Sequence, residues 1–245
     1  DQDGTLAGMS VRVAAASSMR ELANRLDGKN PADARTAAAG EFDALALEGA
    51  VPPYAIANLT VDHFAVDPAI ITGPWLSMAN SYNCFFVESF SDKIAQKAGI
   101  EPLSFRMQML VNQTRLARCL TGVASMAGWD GGISGSSKGL ACHSMRGSHI
   151  AIVASARTNE TGVRVERISA MVDCGRLINP DVARQQIEGG IIFGLAQALG
   201  ASTEFEKGLP TVRRLREIDL PVLADIPEVI VEFIRSDEDP GGVSE

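Results

Sequence analysis

The chain has 245 residues, enough for one large domain or two small ones, and 46% of them are hydrophobic, which excludes global disorder. Its net charge of −8, from 22 basic and 30 acidic residues without a basic run, excludes the electrostatic footprint of a nucleic-acid partner. No stretch reaches the roughly 18 uninterrupted apolar residues of a membrane span, and Cys84, Cys119, Cys142 and Cys174 are widely spaced without a CxxC pair, so they read as buried thiols rather than as a metal site or disulfide framework.

The chain opens on Asp1-Gln2-Asp3-Gly4-Thr5-Leu6, which has hairpin chemistry with Asp3-Gly4 as turn residues. That opening is no signal peptide, and the loop Asp239–Glu245 at the other end leads onward, so both ends are expected to be internal to a larger protein. Residues 5–15 alternate as a strand, with Val11, Val13 and Ala15 on one side. Met19 to Leu26 suits a short helix, and Pro31 to Ala39 reads as a surface excursion. After Pro52-Pro53-Tyr54 an extended segment carries Ile56, Leu59, Val61, Phe64 and Val66. A helix is expected over about Ser81–Ala98, with an apolar stripe of Phe86, Phe90, Ile94 and Ala98 and a stop at Gly99. A second helix follows over about Pro102–Leu116, with Phe105, Met109 and Leu110 inward.

The glycine-rich stretch 128–139 divides the chain into expected domains at 1–130 and 131–245. Beyond it, strands are expected at His149–Ala156 and Val163–Val172, joined by a turn at 158–162. Asn179-Pro180-Asp181 starts a helix that runs to about Leu199, with Asn179 as N-cap. Gly189, Gly190 and Gly194 lie inside that helix at a cost of roughly 1 kcal/mol each relative to Ala, so another backbone or a ligand is expected to approach it. A last strand covers Val229–Ile234. Strand pairs and helices intermix without regular βα alternation, which is an α+β pattern.

Few catalytic constellations survive inspection. His143 and His149 lie six apart, which is not metal-ligand spacing, and His63 stands alone; all three read as structural. A Ser-His-Asp arrangement has no GxSxG elbow to support it, and no Walker loop or dinucleotide fingerprint occurs. The informative stretch is VDCGRLINPDVARQQIEGGIIFGLAQAL from Val172: a strand, a tight glycine turn and a capped helix whose N-terminus favours an anion.

That stretch resembles the signature segment of the molybdenum hydroxylases of the xanthine oxidase family, in the branch of isoquinoline 1-oxidoreductase large subunits and bacterial aldehyde dehydrogenases. In the same order, PPYAIANLTVDHFAVD, TGPWLSMANSYNCFFVESFSDKIAQKAGIEPLSFRMQML, KGLACHSMRGSHIAIVASA and DEDPGGVSE resemble further segments of that family, from about residue 52 onward. The resemblance implies the molybdenum-cofactor-binding domain of the xanthine oxidase family, with mixed β-sheets and packed helices. It implies an oxidoreductase that hydroxylates an N-heteroaromatic compound or oxidises an aldehyde, with water as the oxygen source. Its cofactor would be molybdopterin cytosine dinucleotide, which carries the redox chemistry while protein groups supply position and electrostatics. Its partners would be the N-terminal half of the same subunit, a small two-iron two-sulfur subunit and a cytochrome c acceptor. The compartment stays open between periplasm and cytoplasm.

Position by position, the family's catalytic glutamate falls on Glu245, which the resemblance makes the base. Gln186, Gly147, Ser148, Gly242 and Ser244 fall on cofactor-binding positions, and no metal ligand comes from the protein. Two departures stand out. Leu76 replaces an arginine common in the family, and Ser244 replaces a glycine beside the base. The family's GGGFG cofactor loop is not in this chain, so the chain by itself is expected to bind no cofactor. A second reading is a degenerate, non-catalytic homologue with a role in assembly.

Overall fold

The structure, a computed structural model, describes residues 6–133, 135–160 and 162–243. The chain divides into two compact units, Asp1–Pro52 with Ile56–Phe90, and Pro53–Ala55 with Ser91–Glu245. Helices and strands intermix in the α+β manner.

In the first unit, β1 (Met9–Ala15) pairs in parallel with β2 (Leu59–Ala65), with Val13 opposite His63. A parallel pair needs a long crossover. Here it contains α1 (Ser18–Leu26), α2 (Pro31–Ala38) and a 3-10 turn at Ala44–Leu47. The Pro31–Ala38 stretch is thus a helix and not the surface excursion expected from its composition. Asn30 Oδ1 accepts the Asp33 N–H at 3.0 Å, Pro31 sits in the first turn, and Ala34 and Ala38 are buried on one face.

His63 is a structural histidine, as expected. Its Nδ1 accepts the Asp43 N–H at 3.2 Å, which leaves Nε2 to donate to Ala15 O at 3.1 Å. Glu21, 2% exposed, accepts the N–H and hydroxyl of Thr72, while Arg25 donates to Thr72 O at 2.7 Å.

α3 (Asn80–Ala98) runs where the periodicity places it, but it buries a different face. Asn80, Asn83, Val87, Ser91 and Ala95 are buried, whereas Phe86 and Phe90 are 53% and 50% exposed. Polar residues go inward because Asn83 Nδ2 donates to Ala46 O at 3.2 Å and to Glu48 O at 2.9 Å, satisfying carbonyls that would otherwise be buried unpaired.

In the second unit, α4 is shorter than expected, at Pro102–Met109, and a separate helix, α5 (Thr114–Met126), follows it. The second unit is organised by a four-stranded sheet in the order β3-β4-β5-β8. β3 (Lys138–Met145), β4 (Ser148–Asn159) and β5 (Gly162–Asp173) are antiparallel neighbours. β6 (Phe205–Glu206) and β7 (Leu209–Pro210) form a separate small hairpin, and β8 (Glu228–Phe233) joins the edge of β5 in parallel.

Because side chains alternate along a strand, β5 has two buried faces. Ala170 and Val172 pack with Cys174 against Ile187 and Ile191 of α6 (Pro180–Leu199). Ser169 and Asp173, on the alternate positions, are equally buried, and Asp173 meets α5 through Arg115.

Candidate functional site

Three segments singled out by sequence converge at one end of the sheet. The first is the β3–β4 hairpin tip. Met145 pairs with Ser148, and both Arg146 (φ 48°) and Gly147 (φ 80°) are left-handed, the backbone of a two-residue hairpin turn. The second is the turn Asp173–Arg176 at the end of β5, and the third is the loop 238–242. Gly241 N–H donates to Cys174 O at 2.8 Å, Gly242 N–H to Arg146 O at 3.0 Å, and Arg176 N–H to Glu238 O at 2.9 Å.

Two glycines make this convergence sterically feasible. A Cβ on Gly175 (φ 72°) would lie 2.1 Å from Asp239 O. A Cβ on Gly241 would lie 2.4 Å from Ser148 Oγ and 2.7 Å from Gly147 C.

The charged centre of the cluster is the pair Arg115–Asp173. Arg115 Nε and Nη2 donate to the two carboxylate oxygens at 3.0 and 2.6 Å, and Nη1 donates to Gly147 O at 3.2 Å. Asp173 is fully buried, and its Oδ1 also accepts the Gly175 N–H at 3.1 Å. Burial pushes the Asp173 carboxyl up, but the hydrogen bonds from Arg115 and Gly175 outweigh it and hold the group below the ordinary carboxylate range. The hydrogen bond to Asp173 in turn raises the Arg115 guanidinium.

Beside the pair, Ser144 Oγ lies 2.7 Å from His149 Nδ1, and Cys119 donates its thiol to His149 O at 3.6 Å. Burial and the Arg115 charge lower His149, and burial pushes the Cys119 thiol up to about 12. A Ser-His-Asp triad is not assembled here, because the Asp173 oxygens are engaged by Arg115 and Gly175 and not by His149.

The structure therefore brings together Gly147, Ser148 and Gly242. Gln186 is placed elsewhere, exposed on α6 one residue before the buried Ile187. The α6 N-terminus is capped as expected, with Asn179 Oδ1 accepting the Val182 N–H at 3.1 Å. Ser244 and Glu245 lie outside the described residues; Val243, just before them, packs against the core cluster that includes Ile187.

Arg115 lies outside every motif in the sequence. Asp173 does carry a signal, because an aspartate ending a strand of otherwise buried residues requires a cation or several donors. The α6 glycines are a further surprise. A Cβ on Gly189, Gly190 or Gly194 would meet nothing within 4 Å, so nothing in the described chain makes the close approach expected for this helix.

Two features fit an organic cofactor. Ser148 Oγ is buried and has no hydrogen-bond partner among the described residues, so it offers a donor or acceptor to a ligand. The glycine face of α6, with Gln186 beside it, is open. No group of three or more His, Cys, Asp or Glu among the described residues is arranged to hold a metal ion.

The whole chain has the fold of a stretch of the aldehyde oxidoreductase from Desulfovibrio desulfuricans ATCC 27774. The TM-score is 0.70 over 100% of this chain and 44% of that one, at 11% identity. This is the fold of the molybdenum-cofactor-binding region of the xanthine oxidase family.

Residues 123–227 match the family described as the molybdopterin cofactor-binding domain. The isoquinoline 1-oxidoreductase subunit beta of Brevundimonas diminuta is 31% identical over 168 residues, covering 66% of this chain and 21% of that one. A membrane-bound aldehyde dehydrogenase (pyrroloquinoline-quinone) of Gluconacetobacter polyoxogenes is 26% identical over 194 residues, covering 70% and 25%. Residues 123–227 thus carry the match to the molybdopterin cofactor-binding domain, and most of the chain is similar to these two relatives. The chain spans about a fifth to a quarter of the length of these curated relatives. No helix among the described residues is long and apolar enough to cross a membrane.

Proposed function

We propose that this chain is part of the catalytic subunit of a molybdopterin-dependent oxidoreductase acting on an N-heteroaromatic compound or an aldehyde, with water as the oxygen source. The observation that carries the reading is the convergence of the hairpin tip 145–148, the turn 173–176 and the loop 238–242 in one hydrogen-bonded cluster. Three segments that the family resemblance selects independently are adjacent in space. The names of the relatives, an isoquinoline oxidoreductase subunit and an aldehyde dehydrogenase, supply the two substrate classes.

When bound, molybdopterin cytosine dinucleotide supplies the two-electron redox chemistry. This chain's residues do the rest. Ser148 Oγ and the Gly147 and Gly242 backbone would hold the cofactor at the hairpin side, and Gln186 would donate to it from α6. Gly241 lets the loop 238–242 approach the hairpin tip closely. That loop precedes Glu245 in sequence, and Glu245 would be the base that accepts the proton of the water whose oxygen reaches the electron-poor carbon, the substrate's two electrons going to the bound cofactor. A dry pocket raises such a carboxylate toward neutrality and makes it an effective base. Ser244, its neighbour in sequence, would be among the residues that hold the cofactor. Electrons leave through a small two-iron two-sulfur subunit to a cytochrome c acceptor, and the N-terminal half of the same subunit forms the facing wall of the site.

Glu245→Gln in the intact subunit is expected to retain molybdenum and lose most turnover, by about 10²–10⁴-fold for a missing general base. Near-native turnover would remove Glu245 from the mechanism, and an intact protein without molybdenum above background would sink the whole reading. Mild acid hydrolysis that releases a nucleotide other than cytidine monophosphate would refute the cytosine form.

A further inference from the structure

We infer that Arg115 and Asp173 are a positioning pair that sets the loop 238–243 in the geometry the reaction needs. The inference rests on the proposed role of Glu245, which that loop precedes in sequence.

The loop has three backbone anchors. Two, Cys174 O and Arg176 N–H, belong to the turn after β5, and the third, Arg146 O, belongs to the hairpin tip. The anchors are therefore on separate pieces of chain, and their mutual position decides where the loop sits. Arg115, reaching across from the first turn of α5, bridges both pieces. Its Nε and Nη2 engage Asp173 at 3.0 and 2.6 Å, and its Nη1 engages Gly147 O at 3.2 Å. Asp173 passes the constraint on through the Gly175 N–H at 3.1 Å. A guanidinium is planar and its donors are fixed in a fork, so it sets angle as well as distance; an ammonium at the same place would not.

The loop has no slack to absorb a change. It is already so close to the tip that a Cβ on Gly241 would sit 2.4 Å from Ser148 Oγ, and Val243 at its far end packs on the core. If the two anchors move apart, the loop has to tilt. A displacement of about 1 Å in a reacting group costs about 10²-fold in rate. An ion pair that only added stability would leave the loop and the core strands equally protected against opening.

The test uses the intact native protein carrying its cofactor. Two variants are compared with it: Arg115→Lys, which keeps the charge but not the fork, and the double variant Arg115→Met with Asp173→Asn, which leaves no buried unpaired charge. Amide hydrogen exchange is followed for residues 238–243 and, as a control, for Ile150–Val153 in β4. In the double variant we expect exchange of the Gly241 and Gly242 amides to rise about tenfold or more while β4 is unchanged. Alongside it, kcat should fall about 10- to 100-fold at unchanged molybdenum content, with KM within about threefold. Arg115→Lys should fall between the double variant and the native protein. If the double variant does not accumulate, Arg115→Lys carries the same comparison.

Native-like loop exchange and kcat would overturn the proposal. So would exchange that rises equally in β4 and the loop, since that is the signature of a pair that only stabilises. A native protein without molybdenum would instead defeat the reading of Glu245, and the exchange comparison would still decide whether the clamp exists.

Discussion

Glu21 and Asp173 are both carboxylates sealed from solvent, at 2% and 0% exposure, and they are held in opposite ways. Glu21 lies in a cradle of largely neutral donors, the N–H and hydroxyl of Thr72, with the Arg25 guanidinium only at 3.9 Å. It closes a single crossing between a helix and a loop 51 residues further along the chain. Asp173 faces a guanidinium directly, with two contacts at 3.0 Å or less, and through it joins parts of the chain 58 residues apart. The difference teaches what each burial serves. A carboxylate in a neutral cradle is a hydrogen-bonding staple that an amide can imitate. A carboxylate that shares a fork with arginine is the fixed point of an assembly.

The sharpest way to break that contrast is to remove the charge partner on one side and the charge on the other. Arg115→Met leaves a fully buried carboxylate unpaired and is expected to lower unfolding free energy by about 3–5 kcal/mol. Glu21→Gln keeps an acceptor for the Thr72 N–H and is expected to cost about 1 kcal/mol. Denaturant midpoints measure both, and equal losses would show that the two sites are held alike.

Gly175→Ala is next in size. Its added Cβ would collide with the Asp239 carbonyl at 2.1 Å in a left-handed backbone, so the loop must withdraw, at a cost of about 1–3 kcal/mol. A thermal melt matching the native protein would mean that the two segments are not packed together.

The pH dependence separates the pair further. Asp173 is held below its ordinary value of 3.8, so its share of the stability is present at neutral pH and is lost as pH falls through the depressed value. His143 and His149 are pushed below their ordinary value of 6.5, chiefly by burial. The unfolded chain therefore binds protons first, and stability begins to decline as pH falls through about 6.5. In Arg115→Met, burial of Asp173 is no longer outweighed by the guanidinium, its carboxyl moves up, and protonation relieves the unpaired charge. The stability gap between variant and native protein should consequently narrow as pH drops toward 4. A gap that widens instead would contradict the assigned cause of the Asp173 shift.

What the sequence revealed follows from which forces act locally. Asn179-Pro180 announces α6 because capping and the proline ring act within one turn, and the structure shows the Asn179 cap in place. Asn30-Pro31 carries the same signal for α2 and was hidden by the small, weakly apolar residues that follow it. α5 buries Leu116, Cys119, Leu120 and Val123, a readable helical spacing, but the nearby glycine-rich stretch suggested a boundary instead. α3 misleads for a deeper reason. Its buried face is chosen by backbone carbonyls at 46 and 48 that need asparagine donors, and no apolar periodicity reports that need. The site divides in the same way. Gly147, Ser148 and Gly242 were legible through motif resemblance and do come together, whereas Arg115 finds Asp173 only through the packing of α5 on β5.

The smallest expected effect is also of the opposite sign. Gly189 sits inside α6, one turn beyond Gln186, and a Cβ there would meet no atom of the described chain within 4 Å. In cofactor-free protein, Gly189→Ala should therefore stabilise the helix by at most about 1 kcal/mol, the ordinary difference between the two residues in a helix interior. The proposed function predicts a second, contrary consequence. If the Gln186 face receives the cofactor or the rest of the subunit, the added methyl stands where a neighbour must approach, and molybdenum content per subunit should fall while the cofactor-free form gains stability. A gain in stability with unchanged molybdenum would make this face plain surface and would withdraw Gln186 from the site, while leaving the cluster around Arg115 and Asp173 untouched.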